Sequence, residues 1–179
     1  MPWPRNADLR RIAVGVGVFL ADQLTKGVID KLPANFDLPV IPGLFRIVHA
    51  ENPGVAFGLF QSSSPTFRDG LIAVSSLALL AVLSMLWRSK QSPRAGYAMA
   101  LIVGGACGNL FDRVLHGQVV DFLLFYAGRH SWPVFNLADS AIVIGAGLLV
   151  WEIIRDRPAE PAAAPAAAKT AGAPADFGS

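Results

Sequence analysis

The chain is poor in charge, in cysteine and in histidine, and each scarcity closes a class of function. Asp, Glu, Lys and Arg make up 16% of its 179 residues, against 53% apolar residues. A soluble domain carries about 25% charged residues. The mean hydropathy is +0.46, and the charges are segregated so that long runs carry none. This is the pattern of an integral membrane protein rather than of a soluble one with a large core. The single cysteine, Cys107, cannot form an internal disulfide and lies in an apolar run as a small packed side chain. His49, His116 and His130 are scattered without ligand spacing, so no metal site is expected. A net charge of +2 is too small to suggest nucleic acid.

What is present is a set of four candidate spans. Two are uninterrupted, at 70–87 and 95–111, close to the roughly 20 residues that cross a bilayer core. Two are interrupted: 12–29 holds Asp22 and Lys26, and 134–151 holds Asp139. An apolar stretch broken by an ionisable residue still spans if that residue faces protein or water. Arg5, Arg10 and Arg11 precede the first span, Arg88, Lys90 and Arg94 join the second to the third, and Arg155 and Arg157 follow the fourth. The positive-inside rule then makes both termini cytoplasmic and puts the connections 30–69 and 112–133 outside. Arg10-Arg11 followed by an apolar run also resembles a cleavable signal peptide, but the polar pair Asp22/Lys26 argues for a retained helix.

Helix geometry sets the depth of each polar group. At a rise of about 1.5 Å per residue, Asp22 and Lys26 lie roughly 16 and 22 Å above Arg11. Arg113 lies about 28 Å above Arg94, and Asp139 about 24 Å above Arg155. The ionisable groups of three helices thus converge in the outer half of a hydrocarbon layer about 30 Å thick. Scattered structural polar groups have no reason to agree in depth, so the convergence points to one active centre.

The expected fold is an all-α membrane protein: four transmembrane helices with a small β-rich extracytoplasmic subdomain between helices 1 and 2. In the outer connection 30–69, residues 44–49 are rich in β-formers, Asn52-Pro53-Gly54 signals a turn, and 55–60 resumes an apolar run. A small hairpin on the membrane surface, or a plain loop packed on the helices, fits this pattern. Residues 119–126 surround Asp121 with apolar and aromatic side chains, too few to span, and suggest an interfacial segment or short helix. Gly104 and Gly108, one turn apart with Gly105 between, allow close helix approach. The membrane domain is expected over 1–157. Residues 158–179, mostly Ala and Pro, form a low-complexity tail expected to be disordered and cytoplasmic.

Asp121 and Asp139 are the foremost candidates for chemistry, because a carboxylate near hydrocarbon costs several kcal/mol and needs a reason. Two such groups together can share one proton and hold a water, the minimum equipment of an aspartic peptidase. Asp22 and Lys26 are four apart on one helix face and can pair, Lys26 as structure and Asp22 as either structure or tuning. Asn109, Asp112 and Arg113 close the third span, and Arg113 brings a donor fork suited to a carbonyl or carboxylate. The amides of Asn52 and Asn136 can donate to a peptide carbonyl or lock an aspartate in place. A small transporter is a rival reading, since intramembrane acids occur there too, but nothing suggests inverted repeats or broken helices. A non-enzymatic assembly factor packing by its glycine face would tolerate loss of Asp139. A serine or cysteine protease fits poorly, with no Gly-x-Ser-x-Gly setting and no histidine near Cys107.

These residues also carry a family resemblance. Asp22-Gln23-Leu24-Thr25-Lys26, Asn52-Pro53-Gly54-Val55-Ala56-Phe57-Gly58, the run from Gly104 to Arg113, Val119-Val120-Asp121-Phe122 and Phe135-Asn136-Leu137-Ala138-Asp139-Ser140 resemble, in order, the motifs of lipoprotein signal peptidase (signal peptidase II). The resemblance covers about 10–155, and Cys107 stands where a larger aliphatic residue is common. It implies an aspartic endopeptidase of the bacterial inner membrane with its site at the extracytoplasmic face. Its substrates would be prolipoproteins whose cysteine carries diacylglycerol, cut on the amino side of that cysteine. Asp121 and Asp139 would form the dyad; Asn52, Gly54, Asn109, Arg113 and Asn136 would position substrate and dyad; Asp22, Lys26, Asp112 and Ala138 would support them. Phe57 and the hairpin would cover the cleft. No metal or organic cofactor is implied, the partners are lipid-modified prolipoproteins and membrane lipids, and the enzyme is expected to act as a monomer.

Overall fold

The computed structural model describes residues 6–54, 65–88 and 92–155. The chain runs α1 (Asn6–Ile29), β1 (Asp37–Ile41), β2 (Phe45–Asn52), α2 (Pro65–Arg88), α3 (Pro93–Leu115), β3 (Val119–Ala127), β4 (His130–Ser131) and α4 (Leu137–Arg155). Among the described residues, four helices are long and apolar enough to cross a membrane. Their surfaces carry large apolar side chains that no protein covers. Leu9, Ile12, Val16, Leu20 and Leu24 line one face of α1 at intervals of three and four residues. In water such a face is an aggregation hazard; in lipid it is a solvated surface. The protein is an integral membrane protein.

Helix α3 is the centre of the bundle, packing against α1, α2 and α4. Its start is encoded locally. Pro93 takes the first turn, where its missing N–H costs nothing, and the Ser92 hydroxyl accepts the Ala95 N–H at 3.1 Å. Its partners come close because it presents glycines. A side chain at Gly104 would strike the Gly15 carbonyl of α1, and one at Gly105 would strike the Ala138 carbonyl of α4. This is small-residue packing, in which helix backbones approach without side chains between them. The helix continues to Leu115, so Asp112 and Arg113 lie in its last turns rather than in a loop.

The sheet departs from expectation in two ways. It is not confined to the connection between the first two helices: the strand order is β1-β2-β3-β4, and β3 and β4 come from between α3 and α4. The segment expected as an interfacial stretch or short helix is therefore strand β3, antiparallel to β2 with Ala50 opposite Asp121. Its run of Val, Phe, Leu and Tyr has strong β preference, and β2 supplies the hydrogen-bonding edge. A tight turn near Gly43, at φ 83°, joins β1 to β2, and the expected turn at Asn52-Pro53-Gly54 follows the end of β2, with Gly54 at φ 103° and its N–H donated to the Asn52 side chain. The expected second hairpin strand, 55–60, and Phe57 lie outside the described residues, as does the Ala/Pro tail. Arg46 ties the sheet together on its outer side. It pairs with Asp37 at 2.7 Å and lies 4.5 Å from the centroid of the Tyr126 ring.

One contact brings the sheet to the helices. Phe135, just before α4, accepts the Phe122 and Leu123 N–H groups at 3.0 and 2.8 Å and donates its own N–H to Leu123 at 3.1 Å. Its ring stacks on Phe125 with centroids 6.0 Å apart. The first turn of α4 is thereby held against strand β3.

Gly104→Leu should lower thermal stability in detergent by about 1–3 kcal/mol or more, because the new side chain meets backbone. Gly147→Leu, at a site with open space around it, should stay within about 0.5 kcal/mol of the parent. Melting temperatures of the two purified variants compare them directly.

Candidate active site

Helix α4 begins with a reciprocal cap. The Asn136 side-chain oxygen accepts the Asp139 N–H at 3.0 Å, and Asp139 Oδ2 accepts the Asn136 N–H at 3.2 Å. This is the arrangement of a capping box, with aspartate in the place of the usual Glu or Gln. The pair Asn-x-x-Asp thus starts the helix and fixes the Asp139 rotamer at once. The start of α4 at Leu137 follows from it, three residues beyond the start of the expected span.

The same Asn136 amide reaches the second carboxylate. Its Nδ2 donates to Asp121 Oδ1 at 2.7 Å and to Asn109 Oδ1 at 3.1 Å. Asp121 Oδ2 accepts from Asn52 Nδ2 at 2.8 Å, and the Asn52 oxygen accepts the Gly54 N–H at 2.9 Å, which settles the orientation of that amide. Asp139 Oδ1 accepts from Asn109 Nδ2 at 2.7 Å. All four oxygens of Asp121 and Asp139 therefore have an N–H donor, and one asparagine bridges the two acids. Asn136 is fully buried and Asp121 is 3% exposed, so these bonds replace water the carboxylates have lost. Burial, and then the neighbouring Asp139 charge, push the Asp121 carboxyl up to about 6, against the pull of the Asn52 and Asn136 amides and of Lys26.

A second cluster adjoins the two aspartates through Asn109. Lys26 Nζ sits 2.7 Å from Asp22, 2.6 Å from Asp112 and 2.9 Å from Asn109 Oδ1. Asp22 also accepts the Ala138 N–H at 2.9 Å, which pins the first turn of α4 to α1. Ala138 is fully buried, with its carbonyl facing Gly105 and its Cβ near Gly108. Asp22 lies where any side chain on Gly108 would stand. Gln23 completes the cluster, donating to Asp112 Oδ1 at 2.9 Å and to Asp22 at 3.3 Å.

A cavity of about 300 Å³ opens between α2, α3 and α4, with Ser75, Leu79, Ile102, Asn109, Arg113 and Asp139 in its wall. Arg113 donates to the Asn109 carbonyl of its own helix at 3.2 Å, and its buried Nε has no partner among the described residues. Among those residues no group of three or more His, Cys, Asp or Glu side chains is disposed to hold a metal ion.

The candidate site residues lie in this connected region, on α1, β2, α3, β3 and α4, with Gly54 just after β2 and Asn136 just before α4; Phe57 lies outside the described residues. Asp139 and Arg113 line the cavity, and Asp121 is joined to it through Asn136. Two features escaped sequence reasoning. Gln23 is one; a lone amide beside Asp22 in an apolar helix was the available signal. The other is Glu152, buried near the far end of α4 and hydrogen-bonded to the Ser92 hydroxyl; an acid in the run Leu-Val-Trp-Glu-Ile-Ile was visible but pointed to no partner.

The sequence profile of the peptidase family A8, signal peptidase (SPase) II, matches residues 14–155. The lipoprotein signal peptidase of Solibacter usitatus is 41% identical over 155 residues, covering 84% of this chain and 94% of that protein. That of Azoarcus sp. is 39% identical over 168 residues, covering 92% and 89%. A bacterial membrane enzyme solved by the in meso method at 1.9 Å resolution superposes with a TM-score of 0.72 at 29% identity, covering 82% of this chain and 94% of that one.

Because folding raises the Asp121 pKa, the folded state holds this proton more tightly than the unfolded chain. Its contribution is present below about 3.8 and is lost as pH rises to about 6. Relative to Asp121→Asn, which cannot ionise, the parent should therefore lose thermal stability between pH 4 and 6 and run parallel above. Melting curves of the two proteins across that range check the sign.

Proposed function

The chain belongs to the signal peptidase II family, and from that membership we propose that Asp121 and Asp139 are the catalytic dyad with which it removes signal peptides from prolipoproteins. The observation that carries this reading is the shared amide of Asn136, which ties two carboxylates from different elements into one unit beside a cavity. The dyad works with one proton. The ionised member takes a proton from a water whose oxygen attacks the scissile carbonyl carbon. The protonated member hydrogen-bonds the developing oxyanion and then passes a proton to the leaving nitrogen as the C–N bond breaks. The titration belongs to the pair, so neither residue is assigned one role alone.

The substrate is a prolipoprotein whose cysteine already carries diacylglycerol, and the bond cut lies on the amino side of that cysteine. A signal peptide is a helix, and the cavity between α2, α3 and α4 is bordered along α2 by Ser75, Ala78, Leu79 and Val82 at helical spacing, which suits a helical guest. The diacyl chains remain in the outer leaflet and hold the scissile bond at the dyad's depth. Asn52, Asn109 and Asn136 orient the dyad; Arg113, whose Nε has no partner among the described residues, and Gly54 position the substrate backbone. The enzyme sits in the inner membrane as a monomer, with both termini cytoplasmic and the dyad and sheet at the outer face. Arg94 and Arg155, at the other ends of α3 and α4 from the dyad, support that orientation. The peptidase unit spans 1–157, with the Ala/Pro tail outside it.

Asp121→Asn and Asp139→Asn should each lower kcat by roughly 10²–10⁴-fold while the protein still accumulates in the membrane. Release of signal peptide from a purified diacylglyceryl-modified prolipoprotein is the assay, and normal release by either variant would refute the dyad. In the active enzyme, kcat/KM should fall as pH rises through an apparent pKa of about 6, where the free dyad loses its shared proton.

A further inference from the structure

We propose that Lys26 is a positioning residue for the dyad: it fixes which end of the Asn109 amide meets Asp139, and thereby which dyad oxygen is left to carry the shared proton. The proposal rests on the dyad reading above and goes beyond a role in holding α1 to α3.

The argument follows from donor and acceptor inventories. An ammonium group has donors only. Lys26 Nζ stands 2.9 Å from one end of the Asn109 amide, so that end must be oxygen. The nitrogen end then faces Asp139 Oδ1 at 2.7 Å and donates to it. The Asn109 oxygen also receives Asn136 Nδ2, which in turn donates to Asp121. Lys26 thus supplies one of the two donors that fix the direction of Asn109, the other being Asn136, whose own direction is set by the cap of α4. The Asp22 and Asp112 carboxylates hold the ammonium in place at 2.7 and 2.6 Å, and Gln23 holds Asp112.

Without Lys26 the Asn109 oxygen keeps a single donor, Asn136 Nδ2 at 3.1 Å, which also donates to Asp121. The amide can turn over and put its oxygen against Asp139 Oδ1. Two acceptors tolerate that contact only if the carboxyl carries a proton there. The dyad proton would then be spent on Asn109, away from the cavity, and unable to serve substrate. Removing the cation also removes a positive charge near Asp121. The other charged group acting on that carboxylate is Asp139 from α4; Asp22 from α1 and Asp112 from α3 flank Lys26, Arg113 of α3 lines the cavity beside Asp139, and β2 offers Asp121 the uncharged amide of Asn52.

The test uses the purified full-length enzyme in lipid nanodiscs with a diacylglyceryl-modified prolipopeptide, measuring kcat, KM and the pH profile per folded molecule. Lys26→Met should lower kcat roughly 100-fold with KM little changed, and should move the alkaline limb of the profile upward by on the order of one pH unit. Lys26→Arg, which keeps a donor-only cation, should keep the parent limb. If Lys26→Met does not accumulate, Lys26→Met/Asp112→Asn, which removes one buried charge of each sign, is judged on the same two readouts. An unchanged limb and kcat per folded molecule in the variant lacking Lys26, or a limb shifted equally in Lys26→Arg, would overturn the proposal. Asp121→Asn and Asp139→Asn run alongside: if they are inactive while the Lys26 result is negative, only this proposal falls, and if either is active the dyad reading falls with it.

Discussion

The structure turns on the amide of Asn136. It caps α4, fixes the rotamer of Asp139 and donates to Asp121 from the same side chain. Two acids from elements 18 residues apart in sequence are thus held by one planar group with no freedom to serve them separately. Little else in the protein could do this in a low-dielectric setting. A water would exchange, and a lysine would neutralise the pair. An amide supplies donors and an acceptor without charge, so the carboxylates are solvated by the protein while remaining able to hold a proton.

Burying Asp22, Lys26 and Asp112 together is expensive, and a buried ion cluster is weak evidence for stability. What the cluster contributes is definition. Its three charges come from α1 and α3, and Asp22 extends the link to α4 through the Ala138 N–H. The glycines make this geometry accessible. Gly104 and Gly105 let backbones of α1 and α4 approach α3, and Gly108 leaves room for the Asp22 carboxylate. With ordinary side chains there the helices would stand farther apart, and the short bonds that define the site would not form. By contrast α2 packs chiefly on α3, and the cavity lies along that looser seam.

The outer sheet has a similar positioning role. It pairs strands from two separate connections, and its third strand carries Asp121 at a position opposite Ala50. The Phe135 backbone then joins this strand to the start of α4. Asp121 and Asp139 are therefore brought together where strand β3 meets the N-terminus of α4, each rigid for its own reason. Sites carried on such elements are held more tightly than sites on loops.

Much of this was legible in the chain. Four apolar segments, the basic residues flanking them, and the depth of Asp22, Lys26, Arg113 and Asp139 follow from local composition and a constant rise per residue. The importance of Asp121 and Asp139 follows from the cost of a carboxylate near hydrocarbon. The start of α4 was also written locally, in Asn136 and Asp139, but was obscured because the apolar run begins earlier, at Val134. What no local pattern disclosed was β3. An apolar run too short to span is ambiguous between interfacial helix and strand until a partner edge is known, and that edge, β2, lies some 70 residues away. The direction of each amide was likewise beyond the sequence, since an asparagine is symmetric in outline and only its neighbours decide which end is oxygen. Composition and spacing determined the membrane class, the acids and their depth, because those depend on each residue's own solvation. Strand pairing, the shared amide and the contact of Lys26 with Asn109 were decided in three dimensions, because hydrogen bonds depend on which groups folding brings within about 3 Å.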